Sequence, residues 1–148
     1  MKDPESVIRL FGQKGLKITP QRRLIFELLS KDESHPTADE LYQRVISQMP
    51  DVSRTTVYNT LRELIALGEL VPVENHNEAG ARFDTNTGVH HHLLCIHCHA
   101  LVDIERDFPD VLPTQEEAKG YRVLATQITF MGVCQECQKN QSHNHDPI

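Results

Sequence analysis

Between Arg82 and Cys98 the chain concentrates the side chains that bind metals: the carboxylate of Asp84, the imidazoles of His90, His91, His92 and His97, and the thiols of Cys95 and Cys98. Seventeen positions therefore hold the ligand types of two different metal chemistries. Imidazole and carboxylate suit a divalent first-row metal that can be gained and lost, whereas thiolates suit a firmly held zinc. A second C-x-x-C pair, Cys134 and Cys137, follows the first after thirty-five intervening residues. Each pair can set two thiolates on one tight knuckle, and two knuckles meeting give a tetrahedral four-sulfur zinc site. Such a site has no open coordination position, so its expected role is folding rather than catalysis.

Two other readings of the cysteines fit less well. Cys95 to His99 spells C-x-x-C-H, the attachment pattern of c-type haem, but no export signal accompanies it and the second pair would go unused. A thioredoxin-like redox pair needs a βαβ pattern, which surrounds neither C-x-x-C. Among the histidines, His90 and His92 are two apart, so an extended backbone points both imidazoles to one face and His91 to the other. Asp84 and Asp103 can complete a mixed set with them, and His35 is the candidate ligand from the N-terminal half. That set suits manganese, iron, cobalt or zinc, and residue types do not choose among these.

The elements that must position these ligands are legible from caps and periodicity. Residues 4–14 read as a helix with Val7, Ile8, Leu10 and Phe11 at helical spacing, closed by Gly15. Thr19-Pro20 starts a second helix, with Leu24, Ile25, Leu28 and Leu29 apolar. Thr37 to Glu40 is a capping box for a third, with Leu41, Val45 and Ile46 inward. Ser53 caps a fourth, from Arg54 to about Leu67, with Val57, Leu61, Leu64 and Ile65 buried and Gly68 as its stop. Two short strands follow, Leu70 to Glu74 and Ala81 to Asp84, joined by a polar turn. Helices followed by a two-stranded ribbon give a helix-turn-helix with a wing, whose last helix enters a DNA major groove. Its solvent side carries Arg54, Thr55, Tyr58, Asn59 and Arg62, side chains that match base edges and phosphates.

Charge is divided in the same sense. The net charge is −6, yet residues 1–83 carry 11 bases against 12 acids while residues 84–148 carry 4 against 9. Arg9, Lys14, Lys17, Arg22 and Arg23 form a basic run with no acid among them, and Lys14 and Arg22 are its expected DNA contacts. Downstream, strands are expected at Leu93–Leu94, 100–104 and 127–131, with a helix from Thr114 to Lys119. The fold class is α+β. The expected domains are a winged-helix unit over 1–83, a hinge at 84–88, an α/β dimerisation and metal-binding unit over 89–138, and a disordered tail over 139–148. Neither a leader nor an apolar run of the ~20 residues a span needs is present, so a cytoplasmic chain without membrane contact is expected.

Taken in order, Ile18 to Arg22, His35 to Tyr42, Ser53 to Leu61, Arg82 to Asp84, His90 to Cys98 and Gly132 to Cys137 resemble the ferric uptake regulator (Fur) family of metal-dependent repressors. The resemblance implies a homodimer that binds palindromic operator DNA through two winged helices. It implies structural zinc at Cys95, Cys98, Cys134 and Cys137. A regulatory site for iron or manganese is implied at His35, Asp84, His90, His92 and Asp103. Aspartates at both acidic positions resemble the peroxide-sensing branch, in which ferrous iron and peroxide oxidise a ligand histidine, by position His35 or His90. Iron- or zinc-uptake regulation is the alternative within the family. The third metal site of some relatives falls here on Val89, His91 and about Thr126, which do not match it, with Asp110 the one match. From another class, a metal-dependent hydrolase could use the same two His and two Asp, but nothing besides ligands suggests a substrate pocket.

Overall fold

The computed structural model describes residues 1, 3–73 and 80–140, and divides into two compact units, Met1–Thr87 and Gly88–Ile148. The first unit holds α1 (Pro4–Gln13), α2 (Pro20–Ser30), α3 (Ala38–Gln48) and α4 (Arg54–Ala66), then β1 (Val71–Val73) and β2 (Arg82–Asp84). Each helix starts where a side chain can take up a backbone N–H that would otherwise lack a partner. Thr19 Oγ1 accepts from Arg22 N at 3.3 Å, Ser53 Oγ from Thr56 N at 3.1 Å, and Asp3 from Ser6 N at 3.0 Å. The capping box of α3 is complete: Glu40 N donates to Thr37 Oγ1 and Thr37 N to Glu40 Oε2, at 3.2 and 2.8 Å. α4 ends at Gly68, whose φ of 70° is the left-handed conformation a helix stop requires.

α2 packs against α1, α3 and α4. The shared core is apolar throughout, with Phe11, Ile25, Phe26, Leu29, Leu41, Val45, Val57 and Leu64 fully buried. On α4, Val57, Thr60, Leu61 and Leu64 face this core, and Ile65, expected with them, is only half-buried. β1 and β2 pair antiparallel, Val71 opposite Asp84 and Val73 opposite Arg82. The polar turn expected between them lies outside the described residues.

The second unit is a three-stranded sheet in the order β4-β3-β5, where β3 is His91–Cys95, β4 Leu101–Ile104 and β5 Thr129–Gly132. β3 pairs antiparallel with β4 and parallel with β5. The helix expected over Thr114 to Lys119 is instead a single turn. Ala118 N reaches Thr114 O, but the next bonds are of the tighter i+3 kind, and Lys119 and Gly120 take φ of 48° and 83°. One turn does not overcome the cost of nucleation without a partner to pack against. An unexpected short helix, α5 (Gln135–Asn140), begins at the second cysteine pair, so Lys139 and Asn140 are helical where a tail was expected. The remainder of that tail, 141–148, lies outside the described residues. No helix among the described residues is long and apolar enough to cross a membrane.

Candidate metal centres and DNA-facing surface

All four cysteines come together in the second unit. Every sulfur lies within 4.8 Å of every other, and Cys98 Sγ is 3.6 Å from Cys134 Sγ. A tetrahedral zinc with Zn–S bonds of ~2.3 Å sets its sulfurs about 3.8 Å apart, so the cluster fits that ion. The sheet builds the site. β3 ends in Cys95, and the first knuckle turns back onto β4 through Cys95 N to Ala100 O (2.9 Å) and His99 N to Cys95 O (3.0 Å). β5 delivers the second pair: Ile96 N donates to Gly132 O at 2.8 Å, and Cys134 N donates to Cys95 Sγ at 3.3 Å.

The thiols do not titrate alike. Burial pushes the Cys95 thiol up, but the N–H groups of Cys134, Cys98 and His97 outweigh it and bring it down to about 6. Cys137 is pushed up to about 12, chiefly by its hydrogen bond with Cys134 and then by burial. At Cys98 the Ala100 N–H favours the thiolate, yet burial and the neighbouring thiols hold the group above its ordinary value. Four sulfurs this close cannot all ionise without a cation among them, so zinc would release protons as it binds.

Imidazoles and carboxylates form two further groups, one in each unit. In the first, His35 Nε2 lies 3.5 Å from Asp84 Oδ1, with the side chains 5% and 2% exposed. In the second, β3 alternation and its pairing with β4 do the placing. His92 lies opposite Asp103, and Asp103 Oδ1 sits 3.5 Å from His90 Nε2 and 3.6 Å from His92 Nε2. The two Nε2 atoms are 3.0 Å apart. His90 Nδ1 is 2.9 Å from the Gly88 carbonyl, to which it donates, leaving Nε2 as a lone pair. For His92 to offer the same, its proton must sit on Nδ1. Gln127 Nε2 stands 3.4 Å from that atom, and the amide turned to present its oxygen would accept that proton. Buried imidazoles sharing one carboxylate are the donor set of a divalent first-row metal.

His91 points the other way and joins neither centre. Its ring packs edge-on against Phe108 at 5.1 Å, and its Nδ1 accepts Ile128 N at 3.2 Å. Among the residues matched to a third metal site, Val89, His91 and Thr126 line an apolar hollow of about 340 Å³, and Asp110 falls in the 3₁₀ turn Pro109–Val111. The described residues hold no further cluster of metal-binding side chains.

On α4, Arg54, Thr55, Tyr58, Asn59 and Arg62 are all exposed on one face, the expected groove-reading surface. Arg54 stacks on the Tyr42 ring at 4.4 Å and pairs with Asp39, which preorganises its guanidinium at the helix start. Lys14 is exposed at the end of α1. Arg22, on α2, is half-buried. Its guanidinium pairs with Glu63 at 2.6 Å, donates to Lys17 O at 2.7 Å and covers Phe11, so it ties α2 to α4. With Lys17, Thr19, Gln21, Thr56 and Asn59 it also lines a cleft of about 340 Å³. Lys17, Gln21 and Thr56 are the polar residues sequence reasoning left out. Lys17 stood in the basic run, but nothing in periodicity shows that α2 and α4 open there.

A model of the ferric uptake regulator family matches residues 13–131. The chain belongs to that family. It is 37% identical over 142 residues to the peroxide operon regulator of Bacillus subtilis, covering 94% of this chain and 96% of that one. It is 35% identical to the peroxide-responsive repressor PerR of Staphylococcus aureus, covering 90% of each. Among solved structures, the Helicobacter pylori ferric uptake regulator shares the fold, with a TM-score of 0.74 at 23% identity over 93% of this chain and 97% of that one. PerR from Streptococcus pyogenes matches with a TM-score of 0.54 at 26% identity, covering 93% and 95%. As a member of the family the chain is a winged-helix transcription regulator and not an enzyme.

Proposed function

We propose that this chain is a metal-dependent, peroxide-responsive repressor. It works as a homodimer on palindromic operator DNA, with structural zinc on its four cysteines and iron or manganese at a regulatory site. The carrying observation is the group of buried His90 and His92 with half-buried Asp103, the Nε2 atoms 3.0 Å apart and Asp103 between 3.5 and 3.6 Å from both. His35 and Asp84 form a second donor pair, and we assign both groups to one ion, with residues 84–88 as the hinge that links them. Support for this is chemical: two donors or three make an incomplete shell, and five mixed N/O donors suit iron or manganese. Aspartate at both acidic positions, and the names of the relatives at 35–37% identity, support peroxide over metal uptake.

The residues then divide the work. His35, Asp84, His90, His92 and Asp103 hold the ion, and the Gly88 carbonyl sets the His90 tautomer. Ferrous iron held by these residues would supply the reducing electron for peroxide, of which one oxygen would add to a ligand imidazole and the other leave as water. An oxidised His35 or His90 loses its ligating lone pair, the two donor groups part, and the recognition helices of the dimer no longer fit successive major grooves. The dimer surface belongs to the second unit, whose Val102, Leu112, Tyr121, Leu124 and Met131 are large, apolar and exposed. Action on operator DNA supports a cytoplasmic location.

The test is operator binding by the zinc-loaded protein with iron or manganese added, before and after peroxide. The iron form is expected to lose operator binding and to gain one oxygen at His35 or His90 by peptide mass spectrometry. The manganese form is expected to keep its affinity. An iron form that keeps its affinity and gains no oxygen makes the chain a metal-uptake regulator instead.

A further inference from the structure

β2 presents Arg82 and Asp84 on one face, both buried, with Phe83 half-buried on the other. Asp84 faces the His35 imidazole. Arg82 reaches the same residue by a different atom: its Nη1 donates to the His35 carbonyl at 2.8 Å. His35 needs that hold. Its φ of 52° is left-handed, a conformation a side-chain-bearing residue keeps only when its surroundings fix it. The following residues extend the grip, since Phe83 N donates to Pro36 O at 3.0 Å and Thr37 bridges Arg82. Arg82 is fixed in turn by the Glu40 carboxylate, at 3.0 Å from Nη1 and 3.4 Å from Nη2. Glu40 also caps α3 through Thr37 N.

We propose that Arg82 is a positioning residue of the regulatory metal site, holding the His35 backbone in its left-handed turn so that the imidazole faces Asp84. This rests on the regulatory site assigned above. A guanidinium suits the task because its rigid fork bonds a carbonyl and a carboxylate at once, 8% exposed and therefore little screened. Lysine offers the charge without the fork. The arrangement also ties a metal ligand to the cap of the helix that precedes the recognition helix, through the single carboxylate of Glu40.

The experiment uses the full-length, zinc-loaded protein as wild type, Arg82→Lys and Arg82→Met. Two readouts are taken: the His35 ring ¹⁵N shifts by NMR without added metal, and the Mn²⁺ affinity by titration. Positioning by Arg82 is expected to show as averaged His35 tautomer signals in both variants. Mn²⁺ binding should weaken roughly 10- to 100-fold, as for other groups that orient a ligand, and less for lysine than for methionine. Should Arg82→Met not fold, Arg82→Lys carries the test. A merely structural tie would lower the melting temperature and leave both readouts within twofold of wild type, which overturns the proposal. Altered His35 signals in a protein whose wild type binds no Mn²⁺ would support the positioning role and overturn the metal assignment, so the two failures are told apart.

Discussion

The two units spend their residues differently. The first buries a continuous apolar core from four helices, and its polar side chains serve as caps and surface. In the second, the buried apolar residues of the sheet are only Leu94, Cys95 and Leu101 among those described, alongside three consecutive buried histidines, while Tyr121, Leu124 and Met131 lie exposed. A sheet of three short strands with so little inside needs something else to hold it. The difference teaches that the first unit is stabilised by hydrophobic burial, and the second by a bound ion and a second copy of itself.

The largest way to break that contrast is Cys95→Ser. Structural zinc in small sites contributes on the order of 10 kcal/mol. The variant is expected to lose zinc by metal analysis and the dimer by sedimentation, while helical circular dichroism from the first unit persists. Retention of zinc and dimer would remove the four-thiolate assignment. A smaller change attacks the other side of the comparison. Leu61→Ala, at a position 2% exposed, is expected to cost about 2–5 kcal/mol in denaturant unfolding of the first unit, with zinc content unchanged. The smallest effects belong to the surface of α4. Arg54→Ala and Tyr58→Ala are expected to weaken operator binding by about 1–3 kcal/mol, with zinc content and melting temperature near wild type. Zinc loss in either variant would mean that α4 does more than read DNA.

How far the sequence reveals all this follows the same division. Helix starts in the first unit are local: Thr19, Thr37 and Ser53 each cap within three residues, so their side chains announce them. The metal-binding side chains are legible for a similar reason, since His90 and His92 lie two apart and each cysteine pair forms one knuckle. Long-range commitments are hidden. Nothing near Arg22 predicts its pairing with Glu63, nor does anything near Arg82 predict Glu40 and the His35 carbonyl. The turn at Thr114 carries the capping residues of a helix, yet its exposed side chains pack on nothing among the described residues and the chain turns away at Lys119 and Gly120. α5 has no apolar stripe to show, because five of its six residues are polar and the other is Cys137.

His91 has a consequence of another kind. Three histidines in a row make β3 ambiguous, because a strand that slips by one residue turns every side chain to the opposite face. After such a slip, His91 and Leu93 would stand where His92 and Leu94 do, and a lone imidazole would replace the pair. The bond from Ile128 N to the His91 ring, with Phe108 packed against it, belongs to one alignment only. The histidine outside the proposed metal site thus fixes which two of the three face Asp103.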